Sequence, residues 1–337
     1  MRHMPPLVPF LPKHHLLSVL YIATAAHSMT LSRTITKERL LEKATILRSS
    51  SSSHLLVQKS YPPPMQELFY DSAYPQARTK RNRNRESNLR GFCNWLIPHH
   101  VMIGQYPACT PERNGCLSHA HAQQHIYSLL HTAKIRTFCS LQSELPSQVN
   151  FKAWEEANGR IFLDKSARTD FPHSFLHYEP LVQEALQQLQ QQQEGTKSIF
   201  QENDEVPIVS FLHAPILDLS TPSSSSLYTL LSTLLDTILD SNPPSNPPTT
   251  TTHPDDGGGG GAIYIHCWGG RGRAGLVGAC LLSLLYPELD ANICLEWVQR
   301  GYDTRLGAKR MPVGLQTSPQ TMAQQEFVRE FVRDLRS

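Results

Sequence analysis

The chain has 337 residues, of which 39% are hydrophobic and 25 are proline. That length suits one large domain with accessories, but the apolar content is too low for a chain globular throughout. A formal net charge of +2 gives no global electrostatic case for a nucleic-acid partner. The seven cysteines, Cys93, Cys109, Cys116, Cys139, Cys267, Cys280 and Cys294, are odd in number and form no Cys-x-x-Cys pair, which argues against a disulfide framework or a zinc ribbon.

Residues 1–37 contain no Asp or Glu but carry Arg2, Lys13, Arg33 and Lys37. An apolar run over 16–26 ends in Ala25-Ala26-His27-Ser28. The segment reads as a secretory h-region, as an acid-poor organellar transit peptide, or as a leader with no address. The run is too short for a membrane span. Residues 1–90 are expected to be leader and linker, largely disordered, with a serine run, Pro62-Pro63-Pro64 and a basic polar stretch over 78–90 that bury too little to fold. Order is expected from Phe92.

Beyond it, Trp95-Leu96-Ile97-Pro98 and Val101-Met102-Ile103-Gly104 read as a lead-in segment and a short strand. A helix follows Ser118 as N-cap, with Ile126, Leu129, Leu130 and Ala133 on one face. His121 and His125 are spaced as two metal ligands would be, but without a third ligand they read as a polar helix face. A strand is expected over 135–141. A helix built on Leu181, Val182, Ala185 and Leu189 should fray into the glutamine run 187–193. A strand over 208–212, a helix over 227–239 and a strand over 262–265 follow. Low-complexity insertions are placed near 187–206 and 242–261. A buried helix is expected over 276–285, and a helix over 291–300 with Asp290 as N-cap and Gly301 at its C-terminus. The last helix is read as starting at Ser318-Pro319. The alternation points to an α/β domain, a mainly parallel central sheet flanked by helices.

The chemistry concentrates in His266-Cys267-Trp268-Gly269-Gly270-Arg271-Gly272-Arg273-Ala274-Gly275, between an apolar strand and an apolar helix. A glycine-rich loop there can turn its N–H groups inward as an anion-binding nest, and the helix N-terminus adds its dipole. Both favour a phosphate and a Cys267 thiolate, a competent nucleophile. Arg273 is placed to hold two phosphate oxygens at once.

His-Cys-x-x-Gly-x-x-Arg between strand and helix resembles the signature of the cysteine-based protein tyrosine phosphatases, including their dual-specificity and phosphoinositide-directed branches. The resemblance covers most of 92–336 and is strongest from Pro215 onward. It implies a phosphatase domain over 91–337 that hydrolyses a phosphomonoester through a phosphocysteine intermediate. The catalytic residues it implies are Cys267, Arg273 and Asp218, the last in Pro215-Ile216-Leu217-Asp218-Leu219-Ser220-Thr221-Pro222, which is similar to the family's acid loop. Asp218 would protonate the leaving oxygen and later activate water. The substrate-binding set is His266, Trp268, Gly269, Gly270, Arg271, Gly272, Ala274 and Gln320. In Gln320-Thr321-Met322-Ala323-Gln324, Gln320 matches a glutamine that positions water, with Gln324 assisting. Ala274 departs from the usual Ser or Thr, as in some plant-type glucan phosphatases, and implies a slower second step. Arg271 adds a second guanidinium, as in phosphatases acting on phosphoinositides, or else points to solvent.

The resemblance implies no cofactor and no metal. The expected partner is a phosphorylated protein, by tyrosine or dual-specificity action, or another phosphomonoester. Phosphoinositide and glucan phosphatases, or a catalytically weak phosphate-binding relative, remain open alternatives. No nucleic-acid partner and no stable membrane span are expected. A thiolate enzyme favours a cytoplasmic or organellar location over secretion.

Overall fold

The computed structural model describes residues 35–49, 93–108, 119–163, 173–196, 208–240, 261–305, 308, 313 and 316–337. All of them belong to one unit, Arg33–Ser337. In chain order the elements are α1 (Lys37–Ser49), β1 (Cys93–Ile97), β2 (Val101–Gly104), α2 (His119–His131), β3 (Ile135–Gln142), α3 (Phe151–Glu156), β4 (Arg160–Leu163), β5 (His173–Leu176), α4 (Glu179–Thr196), β6 (Ser210–Ile216), α5 (Ser224–Asp240), β7 (Ala262–His266), α6 (Arg273–Leu285), α7 (Ala291–Asp303) and α8 (Met322–Arg336).

The main sheet runs β1-β2-β7-β3-β6. Only the β1–β2 hairpin is antiparallel; β2–β7, β7–β3 and β3–β6 are parallel. β4 and β5 form a separate antiparallel pair. Alternate residues of one strand enter opposite cores, as a period of two requires. Ile263, Ile265, Cys139 and Ile103 face a core shared with α1, α5, α6, α7 and α8. Tyr264, Phe138 and Met102 face a second core shared with α2 and α4. The mainly parallel sheet flanked by helices is therefore as the sequence implied.

This topology builds the site. Ser140 lies level with both His266 and His213, so β3, β6 and β7 end at one sheet edge. The loops that follow them carry Glu144, Asp218 and Cys267. Such carboxyl ends are where open α/β sheets bind ligands.

Several local readings change. α1 lies inside the stretch assigned to leader and linker, yet Leu40, Ala44 and Leu47 are buried in the first core. Their i, i+4, i+7 spacing makes an apolar stripe, and Lys43 pairs with Asp236 of α5 at 2.6 Å. Phe92, the rest of that stretch and most of the 242–261 insertion lie outside the described residues. The glutamine run is helical within α4, and Tyr127 donates to Gln192 at 2.8 Å. Gly301 is not a terminal cap: it lies within α7, where an added Cβ would sit 2.4 Å from the Asn94 Nδ2. The last helix is capped by Thr321 in a capping box with Gln324, not by Ser318. His125 is not on a polar face. It is buried, its Nδ1 lies 2.6 Å from the Pro107 carbonyl, and burial pushes its pKa down to about 4. The side chain of His121 lies outside the described residues.

Candidate active site

β7 is buried along its whole length, and α6 is buried at every residue. The loop between them, 267–272, is thereby clamped at both ends. Gly270 has φ 65°, and a Cβ there would lie 2.1 Å from the carbonyl carbon of Gly104. Only glycine meets both conditions.

Four consecutive loop carbonyls are held from outside. Tyr106 N–H donates to Trp268 O at 3.1 Å. Arg305 donates to Gly269 O at 3.4 Å and Gly270 O at 3.0 Å. The Ser318 hydroxyl donates to Arg271 O at 2.9 Å. Arg305 is itself buried and fixed by Asn94 Oδ1 and Ile103 O, at 2.8 and 3.1 Å. Carbonyls drawn outward leave the amides of the same peptides for the concave side, the arrangement of an anion nest. Gly272, the N-cap of α6, supplies no side-chain cap, so the first-turn N–H groups are open to an anion.

Arg273 is 1% exposed, and its guanidinium is almost fully specified. Nη1 donates to Glu144 Oε2 at 2.6 Å and to the Ile216 carbonyl at 3.0 Å; Nη2 donates to Glu144 Oε1 at 2.8 Å and lies 3.1 Å from Asp218 Oδ1. Nε is buried with no hydrogen-bond partner among the described residues. Burial alone would lower the Arg273 pKa, but the Glu144 hydrogen bonds and the proximity of Cys267, Glu144 and Asp218 raise it further above its ordinary value. Burial would likewise raise the Glu144 pKa, and Arg273 reverses that and lowers it.

The structure thus brings together Cys267, Arg273 and Asp218 around loop 267–272. Cys267 is 3% exposed, while the Asp218 side chain is 51% exposed. Trp268 is half-buried and packs edge-on to Phe175, ring centroids 5.6 Å apart. Gln320 approaches the loop, its Cβ 3.4 Å from the Cβ position of Gly272. Ala274 is buried in the first turn of α6. Arg271 is buried, not turned to solvent. His266 turns away from the loop: its Nε2 lies 2.8 Å from the Tyr178 hydroxyl, and burial, His213 and Arg273 push its pKa down to about 3. A neutral imidazole there anchors the end of β7.

Sequence reading did not find Glu144 or Arg305, and it took Ser318 for a helix start rather than a support of the loop. Each is a polar residue far along the chain from the loop it supports, and no local spacing marks it. Among the described residues no group of three or more His, Cys, Asp or Glu could hold a metal ion.

Residues 182–328 match the family model described as the Swiss Army Knife protein DSP-PTPase phosphatase domain. No curated protein matches the chain. Solved structures with a similar course include Tk-PTP in its active form, at 14% identity over 72% of this chain and 96% of that one, TM-score 0.36. Kinase associated phosphatase with its catalytic cysteine replaced by serine matches at 16% identity, 70% and 88% coverage and TM-score 0.37. A Trypanosoma brucei protein tyrosine phosphatase matches at 13%, 88% and 92%, TM-score 0.35. The match over 182–328 takes in the Asp218 loop, the Cys267 loop and Gln320, and makes that part of the chain similar to a dual-specificity and tyrosine phosphatase domain.

Proposed function

We propose that this chain hydrolyses phosphomonoesters through a phosphocysteine intermediate on Cys267, acting on phosphotyrosine or both phosphotyrosine and phosphoserine/threonine in proteins. The observation that carries the reading is the state of Arg273. Five N–H donors are available to a guanidinium. Glu144, Ile216 and Asp218 engage those of Nη1 and Nη2, while Nε is buried with no hydrogen-bond partner among the described residues. A buried donor left unmade is costly. A phosphate oxygen in the nest satisfies it, and a second oxygen replaces Asp218 at Nη2, giving a bidentate grip.

In the first step the Cys267 thiolate attacks phosphorus, the P–O bond to the leaving group breaks, and Asp218 gives its proton to the departing oxygen. In the second step Asp218 takes a proton from water as that water attacks the phosphocysteine. The P–S bond breaks and the thiolate returns. The loop amides and Arg273 stabilise charge on the equatorial oxygens throughout. Within the chain, the phosphatase domain is taken to begin near residue 35, because α1 contributes to its core.

The test is phosphate release by the full chain from phosphotyrosine and phosphoserine peptides, a phosphoinositide and a phosphoglucan. Turnover of phosphopeptides above the other two classes is expected; preference for a lipid or glucan overturns the substrate assignment. Asp218→Ala should lower the rate with a poor leaving group by roughly 10² to 10⁴, and far less with an activated aryl phosphate. Equal losses on both would remove Asp218 from the acid role.

A further inference from the structure

The geometry points to Gln324 as a positioning residue that holds the acid loop in register with the phosphate loop. The inference rests on the proposed reaction only for its kinetic consequence.

Gln324 is fully buried at the start of α8. Its Oε1 accepts from the backbone N–H groups of Gln320 and Thr321, at 3.1 and 3.2 Å. An amide oxygen has two lone pairs, and both are used. That leaves the oxygen no free acceptor site, while one of the two Nε2 N–H groups makes the contact that follows. Its Nε2 donates to the Ser220 carbonyl at 3.0 Å, 104 residues away. Both amide atoms also lie near the phosphate loop, 3.3 and 3.4 Å from the Cβ position of Gly272.

The acid loop has little else to fix it. Leu217 and Leu219 are 69% and 39% exposed, so burial contributes little. Leu219 has φ 61°, a left-handed conformation that costs a residue with a Cβ roughly 1–2 kcal/mol. Within the loop, Ser220 N–H bonds Leu217 O at 3.1 Å. Besides the contact of Arg273 Nη2 with Asp218 itself at 3.1 Å, two anchors from outside bracket that residue: Arg273 on the Ile216 carbonyl and Gln324 on the Ser220 carbonyl. One tie runs to the phosphate-binding arginine and the other to the start of α8. Asp218 is suspended between them.

The substitution Gln324→Glu separates this role from helix capping. A glutamate keeps the acceptor for Gln320 and Thr321 and suits the capping box and the helix dipole. It loses the N–H donor and sets a carboxylate against the Ser220 carbonyl. The full chain is assayed with phenyl phosphate, whose leaving group needs a proton, and with 4-nitrophenyl phosphate, whose leaving group does not. The ratio of the two kcat/KM values should fall on the order of tenfold, because small misplacement of a catalytic group is costly. Backbone amide exchange over 217–221 should accelerate, with the α8 amides unchanged. An unchanged ratio in an active enzyme, or unchanged exchange over 217–221, overturns the inference. If the native chain turns over neither ester, the proposed reaction falls, and the exchange measurement alone decides the tether. Should Q324E fail to fold, Gln324→Met is read by the kcat/KM ratio and by exchange over 217–221 alone, with the same outcomes, because methionine also gives up the acceptor for Gln320 and Thr321.

Discussion

Replacing Glu144 by alanine removes the two hydrogen bonds, of 2.6 and 2.8 Å, that orient Arg273. Breaking a buried ion pair by deleting one partner costs about 3–5 kcal/mol. Here the Ile216 carbonyl and Asp218 remain, and the Glu144 side chain is 18% exposed, which brings the expected loss to about 2–3 kcal/mol. For a domain of this size that corresponds to a melting point lower by roughly 4–12 °C. The guanidinium also loses its fixed plane, so kcat/KM should fall about 10- to 100-fold. Scanning calorimetry and steady-state kinetics on the full chain measure both. The pH dependence follows from the lowered Glu144 pKa. The pair stabilises the fold above the ordinary carboxylate value of 4.5, and that contribution is lost as pH falls through the depressed folded value. The stability gap between the native chain and Glu144→Ala should therefore narrow below pH 4.5. An unchanged melting point with full activity refutes the assignment of Glu144 as the support of Arg273.

Gly270→Ala should abolish activity and weaken phosphate binding, since the new Cβ meets the Gly104 backbone at 2.1 Å in a left-handed conformation; retained activity refutes the close approach. Deleting residues 1–50 exposes the surfaces that Leu40, Ala44 and Leu47 cover. At about 1.5–3 kcal/mol for each large aliphatic side chain, the truncated protein should melt far below the full chain or aggregate, and equal melting curves would return α1 to the linker. Ala274→Ser restores a hydroxyl whose charge-assisted hydrogen bond to the departing thiolate is worth roughly 1.5–3 kcal/mol. Stopped-flow measurement should show a burst of leaving-group release in the native chain, and a smaller burst with faster turnover in the serine variant. No burst and no gain would place the slow step elsewhere.

The loop and its two flanking elements were legible because apolar runs on both sides of a glycine cluster are a local pattern. Asp218 was reached only through the resemblance of Pro215–Pro222 to the acid loop of the tyrosine phosphatases. Glu144 and Arg305 were not legible. They meet the loop only because parallel strands bring distant chain segments to one edge, at separations of 129 and 36 residues. α1 carried its signal in the Leu40, Ala44 and Leu47 spacing, but the surrounding composition masked it. Thr321 and Gln324 fit the Thr-x-x-Gln capping pattern, which outweighs the Ser-Pro pair upstream. Gly301 shows the opposite case: a glycine at an apparent helix end is needed because the Asn94 side chain packs against it.

The central claim is that Cys267 is the nucleophile in a loop that binds phosphate by itself. Cys267→Ser in the full chain is the direct measurement, with phosphate release and inorganic phosphate binding followed on the same preparation. The loop amides and Arg273 are untouched, so binding should persist within a few-fold while release falls to background. Sustained phosphate release by the serine variant would contradict the account.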